Sequence, residues 1–305
     1  MSLRIGIIGA SGIGFIHALQ YNDLGEDVVA VLCSSESSAK TASKKLTKIC
    51  NTNLAAYHNL ADFLDEELDA VSICSPPFMH IEHIEACFDR NIPVFCEKPL
   101  FWSDSMSLDE VNQQINAIES HINRRLFVNT SNAVFMDTIA QNERQSSICK
   151  NLSFEFYTNG KNLGISIAED LLPHGLSLLL NKIGNYEIVD FTSSVSKHSF
   201  KCDFIYGGCE VKFDFRENPN GPKHMNIRIN DNSYTRIQVG TGSSYKVSLI
   251  NDCSKKVFPV EDPFRIYISR FLDYVRNFES KDKDEFNVAA LNLRLMAQCL
   301  NLSKK

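Results

Sequence analysis

No C-x-x-C pair occurs among the ten cysteines of this 305-residue chain, which argues against a zinc site or a thioredoxin-like motif. Several cysteines, such as Cys74 in "VSICS" and Cys96 in "VFCEKP", lie inside apolar runs, where a thiol acts as a small buried hydrophobe. That usage suits a reducing cytosol. No 18-residue apolar run exists, and the first residues lack a basic region followed by a signal-like stretch. No membrane partner is therefore expected, and the expected location is the cytoplasm. A long basic run is missing too: 31 Lys and Arg against 37 Asp and Glu leave a formal charge of −6, which argues against nucleic acid as the main partner. Neither a Ser-His-Asp signature nor a nucleophile elbow appears. The remainder is ordinary for a soluble globular protein, 44% hydrophobic and 22% charged, and long enough for two domains.

Short apolar runs alternate with helical patterns over the first 130 residues. Candidate strands at 3–8, 28–32, 69–74, 92–96 and 125–129 are separated by helix-like stretches at 14–22, 36–49, 59–66, 80–90 and 104–122. Val- and Ile-rich runs of this kind predict βαβ units and a doubly wound parallel sheet buried on both faces. Ser103 and Asp104 are the expected starters of the last helix. Beyond about residue 133 the grammar changes. A helix (134–148), a strand (152–158) and an apolar helix (168–183) precede six strand-like runs between 186 and 250, with turns at Gly207-Gly208 and 218–221. Helices at 263–278 and 286–302 follow. The expected architecture is a Rossmann domain over 1–131 and an α+β domain over 132–305 with an open, mostly antiparallel sheet.

The turn "GASGIG" follows the first strand and opens a helix, the context a phosphate-binding turn requires. Counted from Gly9, the middle position falls on Ser11 and the third on Gly14, giving G-x-S-x-x-G with Gly12 as an extra glycine. Ser11 should then face a pyrophosphate; a Ser11 pointing into the core would pass that role to Gly12. An ordinary strand–helix turn is the alternative. At the end of the second strand, "VLCSSESSAK" carries no carboxylate from 28 to 35, where an NAD site wants an acid for the ribose 2′-hydroxyl. Cys33, Ser34 and Ser35 would instead tolerate a 2′-phosphate, so NADP(H) is favoured, with NAD(H) the alternative.

"SPPFMHIEH" and "VFCEKPL" both fall at C-terminal ends of predicted parallel strands, the edge where ligands sit in open α/β sheets. Lys98 is there either as a ligand-facing group or as a surface lysine. In "AEDLLPHGLSLLL", Asp170 and His174 are four apart and share a helix face. A carboxylate that orients an imidazole prepares a general acid/base near neutral pH. A helix-capping Asp beside a satisfied His is the alternative.

Together "IGIIGASGIGFIHA", "AVSICSPPFMHIEH", "IPVFCEKPL", "LFVNTSN" and "EDLLPHGLSLLL" resemble the glucose–fructose oxidoreductase / inositol dehydrogenase (Gfo/Idh/MocA) family, almost continuously over the first 130 residues. The resemblance implies that Lys98 of the E-K-P motif is the catalytic lysine and that Asp170 and His174 are the acid/base pair. It implies cofactor contacts at Gly9, Ser11, Gly12, Ile13 and Gly14, in the loop of Ser75, Pro76, Pro77 and His80, and at Glu97, Lys98 and Asn129. A cis peptide before Pro99, aiming Lys98 into the cleft, is implied as well. So is hydride transfer between NAD(P) and a secondary alcohol or ketone of a small, carbohydrate-derived substrate: a sugar, cyclitol or sugar nucleotide. The second-domain sheet would support a homo-oligomer. Two departures stand out: Leu172 replaces a glycine often found two residues before the histidine, and Cys33 replaces the ribose-binding acid. Reduction of a non-sugar C=O or C=N group and a non-catalytic NADP-binding regulator are the rival readings. Lys98, Asp170 and His174 together speak against the regulator.

Overall fold

Runs with almost no polar side chain have to be covered on both faces, and the chain does this by alternating strand with helix. The structure, a computed structural model, describes residues 1–50, 52–104, 106–120, 126–130, 132–143, 148–240, 246–277 and 283–304. The strands Arg4–Ile8 (β1), Asp27–Leu32 (β2), Ala55–Tyr57 (β3), Ala70–Ile73 (β4), Val94–Cys96 (β5) and Leu126–Val128 (β6) form a parallel sheet in the order β3-β2-β1-β4-β5-β6. Between them run the helices Ile13–Asp23 (α1), Glu36–Cys50 (α2), Leu60–Leu64 (α3), His80–Asp89 (α4) and Leu108–Glu119 (α5). The order reverses between β1 and β4, so the loops after those two strands frame the crevice where doubly wound sheets bind ligands.

Two expectations are corrected in this half. The strand β3 was not expected, and α5 starts at Leu108 rather than at Ser103 or Asp104. Ser107 is the cap: Glu110 N donates to its Oγ at 3.2 Å, while Ser107 N donates back to Glu110 Oε2 at 2.8 Å. This reciprocal pair satisfies two otherwise orphaned amides. The expected helix end at 121–122, the strand start at Arg125, part of the 134–148 helix (144–147), Tyr245 and residue 278 lie outside the described residues.

The later chain runs Ala133–Asn142 (α6), Asn151–Thr158 (β7), Ser166–Lys182 (α7), Ile188–Ser196 (β8), Ser199–Tyr206 (β9), Cys209–Glu217 (β10), His224–Ile229 (β11), Asn232–Val239 (β12), Lys246–Asn251 (β13) and Val257–Val260 (β14). The helix α6 stops at Asn142, short of the expected 148, and β14 is an unexpected edge strand. These strands form one eight-stranded sheet, β14-β13-β12-β11-β7-β10-β9-β8, antiparallel throughout except for the β7–β10 pair. Strict alternation along β10, buried at Cys209, Val211, Phe213 and Phe215, gives the sheet one covered face. The cover is α7, which buries Leu171, Leu172, Leu176, Leu178 and Leu179, each contributing about 1.5–3 kcal/mol. Gly175 lets it lie close, because a Cβ there would stand 2.8 Å from the Phe213 ring.

The last helices are Pro263–Arg276 (α8) and Lys283–Leu302 (α9). The chain divides into two compact units: Met1–Met106 with Asn112–Asn129 and Phe264–Ala290, and Ser107–Val111 with Thr130–Pro263 and Leu291–Lys305. Within the first, Phe271 of α8 packs edge-on against Phe95 at 5.5 Å, and Phe95 stacks on Phe127 at 5.5 Å. Arg276 pairs with the buried Glu26. Among the described residues, no helix is long and apolar enough to cross a membrane.

Candidate functional site

In the first unit the β1 and β4 loops open onto a cleft of about 680 Å³, lined by Gly9, Ser11, Cys33, Ser34, Ser75 and Pro76 from the expected set. Two of the glycines are required by space. A Cβ on Gly9 (φ +84°) would stand 2.6 Å from the Cys74 carbonyl oxygen, and one on Gly14 would stand 2.1 Å from the Gly9 oxygen. Gly12 has room for a side chain, but its φ of +52° favours glycine. Ser11 is exposed, lines the cleft and accepts from Gly14 N at 3.0 Å through its carbonyl. It therefore faces the cleft and not the core.

Several expected residues do other work. Ser35 starts α2, its Oγ accepting from Ser38 N at 3.3 Å and its carbonyl from Ala39 N at 2.9 Å. His80 is buried: Nε2 lies 2.8 Å from the Ser75 carbonyl oxygen and Nδ1 3.4 Å from the Cys96 thiol. Nδ1 lies closer still to the carbonyl oxygens of Pro99 (3.1 Å) and Leu100 (3.2 Å), so His80 clips the β4 loop to the segment that follows Lys98. Burial lowers its pKa and keeps it neutral. The sequence reading missed His58, Ser38 and His83 in the cleft lining. His83 Nδ1 meets Ser75 Oγ at 2.9 Å, and burial pushes its pKa down to about 4.

Glu97 and Asn129 form a buried network beneath Lys98. Glu97 Oε1 accepts from Asn129 Nδ2 at 2.7 Å and from His17 Nε2 at 2.7 Å, while its Oε2 accepts from Lys98 N at 3.3 Å. His17, which no spacing had singled out, also directs Nδ1 at Ser72 Oγ (2.8 Å). Burial opposes a charge on His17, but Cys74 and Glu97 outweigh it and push its pKa up to about 10. Burial likewise opposes the charge on Glu97, and the bonds from His17 and Asn129 hold its carboxyl below the usual range. Both are therefore charged at neutral pH. The pair pins the backbone that presents Lys98, which is half-buried and followed by a cis peptide to Pro99.

In the second unit, Asp170 and His174 stand one turn apart on α7, both half-buried. The His174 ring meets Phe156 edge-on at 5.2 Å, and its carbonyl accepts from Ser177 Oγ at 2.8 Å. With Leu172 in place of glycine the helix still runs unbroken through Pro173, whose carbonyl accepts from Asn292 Nδ2 at 2.9 Å. A further, buried carboxyl, Glu217 at the end of β10, accepts from Asn162 N at 2.8 Å and from Asn162 Nδ2 at 3.0 Å.

A β1 glycine turn at the switch point of a parallel sheet, in a chain that also forms a large antiparallel sheet, defines a dinucleotide-binding Rossmann protein with a second α+β domain. Residues 3–130 match the GFO_IDH_MocA oxidoreductase family, NAD-binding Rossmann fold. The match is confined to this N-terminal part of the chain. A 101-residue stretch is 38% identical to an inositol 2-dehydrogenase from Acidothermus cellulolyticus, covering 32% of this chain and 28% of that protein. The aligned stretch is thus less than a third of that relative. Over the whole chain the backbone resembles a UDP-N-acetylglucosamine 3-dehydrogenase from Acidithiobacillus ferrooxidans, with a TM-score of 0.72, 17% identity, and 100% of this chain and 98% of that one covered. A 3-ketoreductase from Actinomadura kijaniata, solved with TDP-benzene and NADP, gives a TM-score of 0.73 at 15% identity with the same coverage. At such identities the likeness is one of fold.

Proposed function

We propose that this chain is an NAD(P)-dependent oxidoreductase acting at a secondary alcohol or ketone of a sugar, cyclitol or sugar nucleotide. The observation that carries the reading is the pinned Lys98: a buried ion pair, Glu97 with His17, is spent on fixing the backbone of one half-buried lysine. A surface lysine needs no such support. The glycine turn fits a pyrophosphate, since Gly9 and Gly14 exclude side chains and Ser11 offers a hydroxyl to the cleft. Gly9, Ser11, Ser75 and Pro76 would hold the dinucleotide, whose nicotinamide supplies the hydride chemistry. His174 would exchange the substrate hydroxyl proton at a ring nitrogen, and Asp170 would orient the imidazole. Lys98 would bind the substrate oxygen and favour negative charge developing on it.

NADP(H) is the favoured cofactor. The cleft at the end of β2 is lined by Cys33, Ser34, Ser38 and His58, and Glu36 pairs with Lys40 on the exposed face of α2. Hydroxyls and an imidazole accept a 2′-phosphate without charge repulsion. Fluorescence titration should show NADPH binding more tightly than NADH, and equal or tighter NADH binding refutes the preference. A turnover screen with both cofactors across sugars, nucleotide sugars and cyclitols tests the activity. Binding without turnover on any of them would favour a cofactor-sensing regulator.

A further inference from the structure

Cys149 and Cys209 are 60 residues apart in the chain, yet their sulfurs lie 3.4 Å from each other. Among the described residues, no other two cysteines hydrogen-bond each other, and all ten are free thiols. Cys209 begins β10 and is fully buried, while Cys149 stands two residues ahead of β7 and is half-buried. These strands are the parallel pair of the sheet, in register from Asn151 and Glu210 onward. Glu210 N donates to the Lys150 carbonyl at 2.8 Å, fixing one strand start against the other. Asn230, just past β11, grips the same segment. Its Oδ1 accepts from Lys150 N at 2.8 Å and from Asn151 N at 3.2 Å, and its Nδ2 donates to the Ile148 carbonyl at 3.1 Å. The backbone on both sides of Cys149 is therefore held. A disulfide needs its sulfurs at about 2 Å, a closing movement that rotation of two thiol-bearing side chains can supply.

We propose that Cys149 and Cys209 are a redox modification site, at which a hydroperoxide drives formation of a disulfide that staples the start of β7 to the start of β10. Cys149, the less buried of the two, is oxidised first. Its sulfur attacks a peroxide oxygen: the S–O bond forms, the O–O bond breaks, and a sulfenic acid and one water result when the oxidant is hydrogen peroxide. Burial first, and then the neighbouring Cys149 thiol, pushes Cys209 up to about 12, so it waits as a protonated thiol. Its sulfur then attacks that of Cys149. The S–S bond forms, the S–O bond breaks, and hydroxide leaves with the Cys209 proton as a second water. Two thiols lose two electrons and two protons, and the hydroperoxide takes up both. A dithiol reverses the step by exchange and becomes the disulfide itself. Both cysteines belong to the second unit and neither lines the cofactor cleft, so the site stands apart from the proposed activity. Closing a segment this long restrains the unfolded chain, so the oxidised form should be the more stable one.

The test treats the reduced full chain with hydrogen peroxide at about pH 8, then unfolds it in an alkylating reagent and weighs it by mass spectrometry. The product should carry two labels fewer than its ten cysteines allow. A digest made without reductant should contain one linked peptide pair, joining Cys149 to Cys209. Dithiothreitol should restore all ten labels. A full set of labels after peroxide, or a link that leaves out either cysteine, overturns the proposal. In Cys149→Ser every remaining thiol should still label, and loss of two labels there overturns it as well. Cys209→Ser should strand the sulfenic acid on Cys149, where dimedone captures it; the wild-type peptide map decides the matter even where that variant fails to fold. Followed by circular dichroism in urea, oxidised wild type should unfold at a higher concentration than reduced protein. Equal midpoints overturn the staple.

Discussion

Replacing His17 with glutamine removes the charge opposite Glu97 while keeping a neutral donor in its place. His17 is fully buried and Nε2 lies 2.7 Å from Glu97 Oε1, so solvent screens little of the interaction. A pKa of about 10 in the folded chain against 6.5 in the unfolded one corresponds to roughly 5 kcal/mol, shared between Cys74 and Glu97. That is the same order as the about 3–5 kcal/mol expected when one partner of a buried pair is lost. The folded value lies above the unfolded one, so the contribution is fully present below 6.5 and is lost as pH rises through about 10. The single tryptophan, Trp102, lies buried in the same unit and reports its unfolding in urea. At pH near 6, His17→Gln should be less stable than wild type by about 3–5 kcal/mol. By about pH 9 that gap should shrink by roughly 3 kcal/mol, since each pH unit above 6.5 removes about 1.4 kcal/mol. A gap below about 1 kcal/mol at pH 6, or one that does not change with pH, would refute the buried ion pair.

Three further perturbations follow from the cleft and the α7 contact. Ser34→Asp places a carboxylate at the end of β2, where Ser34 lines the cleft, and should weaken NADPH binding by on the order of tenfold or more while improving NADH. Parallel fluorescence titrations check it. Gly14→Ala drives a methyl into the Gly9 carbonyl, and NADPH binding should fall at least about tenfold as the turn is displaced. Gly175→Ala forces α7 off the Phe213 ring and should cost about 1–3 kcal/mol in chemical denaturation, with NADPH affinity unchanged because Gly175 is outside the cleft lining.

Much of the fold is written locally. The alternation of Val/Ile runs with helical patterns locates β1, β2, β4, β5 and β6 to within a residue or two. β3 is three residues, Ala55-Ala56-Tyr57, too short for a periodicity, and β14 carries Pro259, which reads as a break although an edge strand tolerates it. The start of α5 was legible in principle: Ser107 and Glu110 spell a capping box that Ser103 and Asp104 obscured. The candidate site divides in the same way. Asp170 and His174 are visible by helical spacing, and the glycine turn by its place after a strand. His17 and Glu97 are separated by 80 residues, and Glu217 and Asn162 by 55. Only tertiary contact joins such pairs, so spacing holds no trace of them.

The central claim is that Lys98 and His174 act on the substrate of an NAD(P)-dependent oxidoreductase. With a substrate from the turnover screen, kcat of Lys98→Met and of His174→Ala should each fall by on the order of 100-fold or more, while NADPH affinity by fluorescence stays within about threefold of wild type. Near-normal turnover in both variants would contradict it.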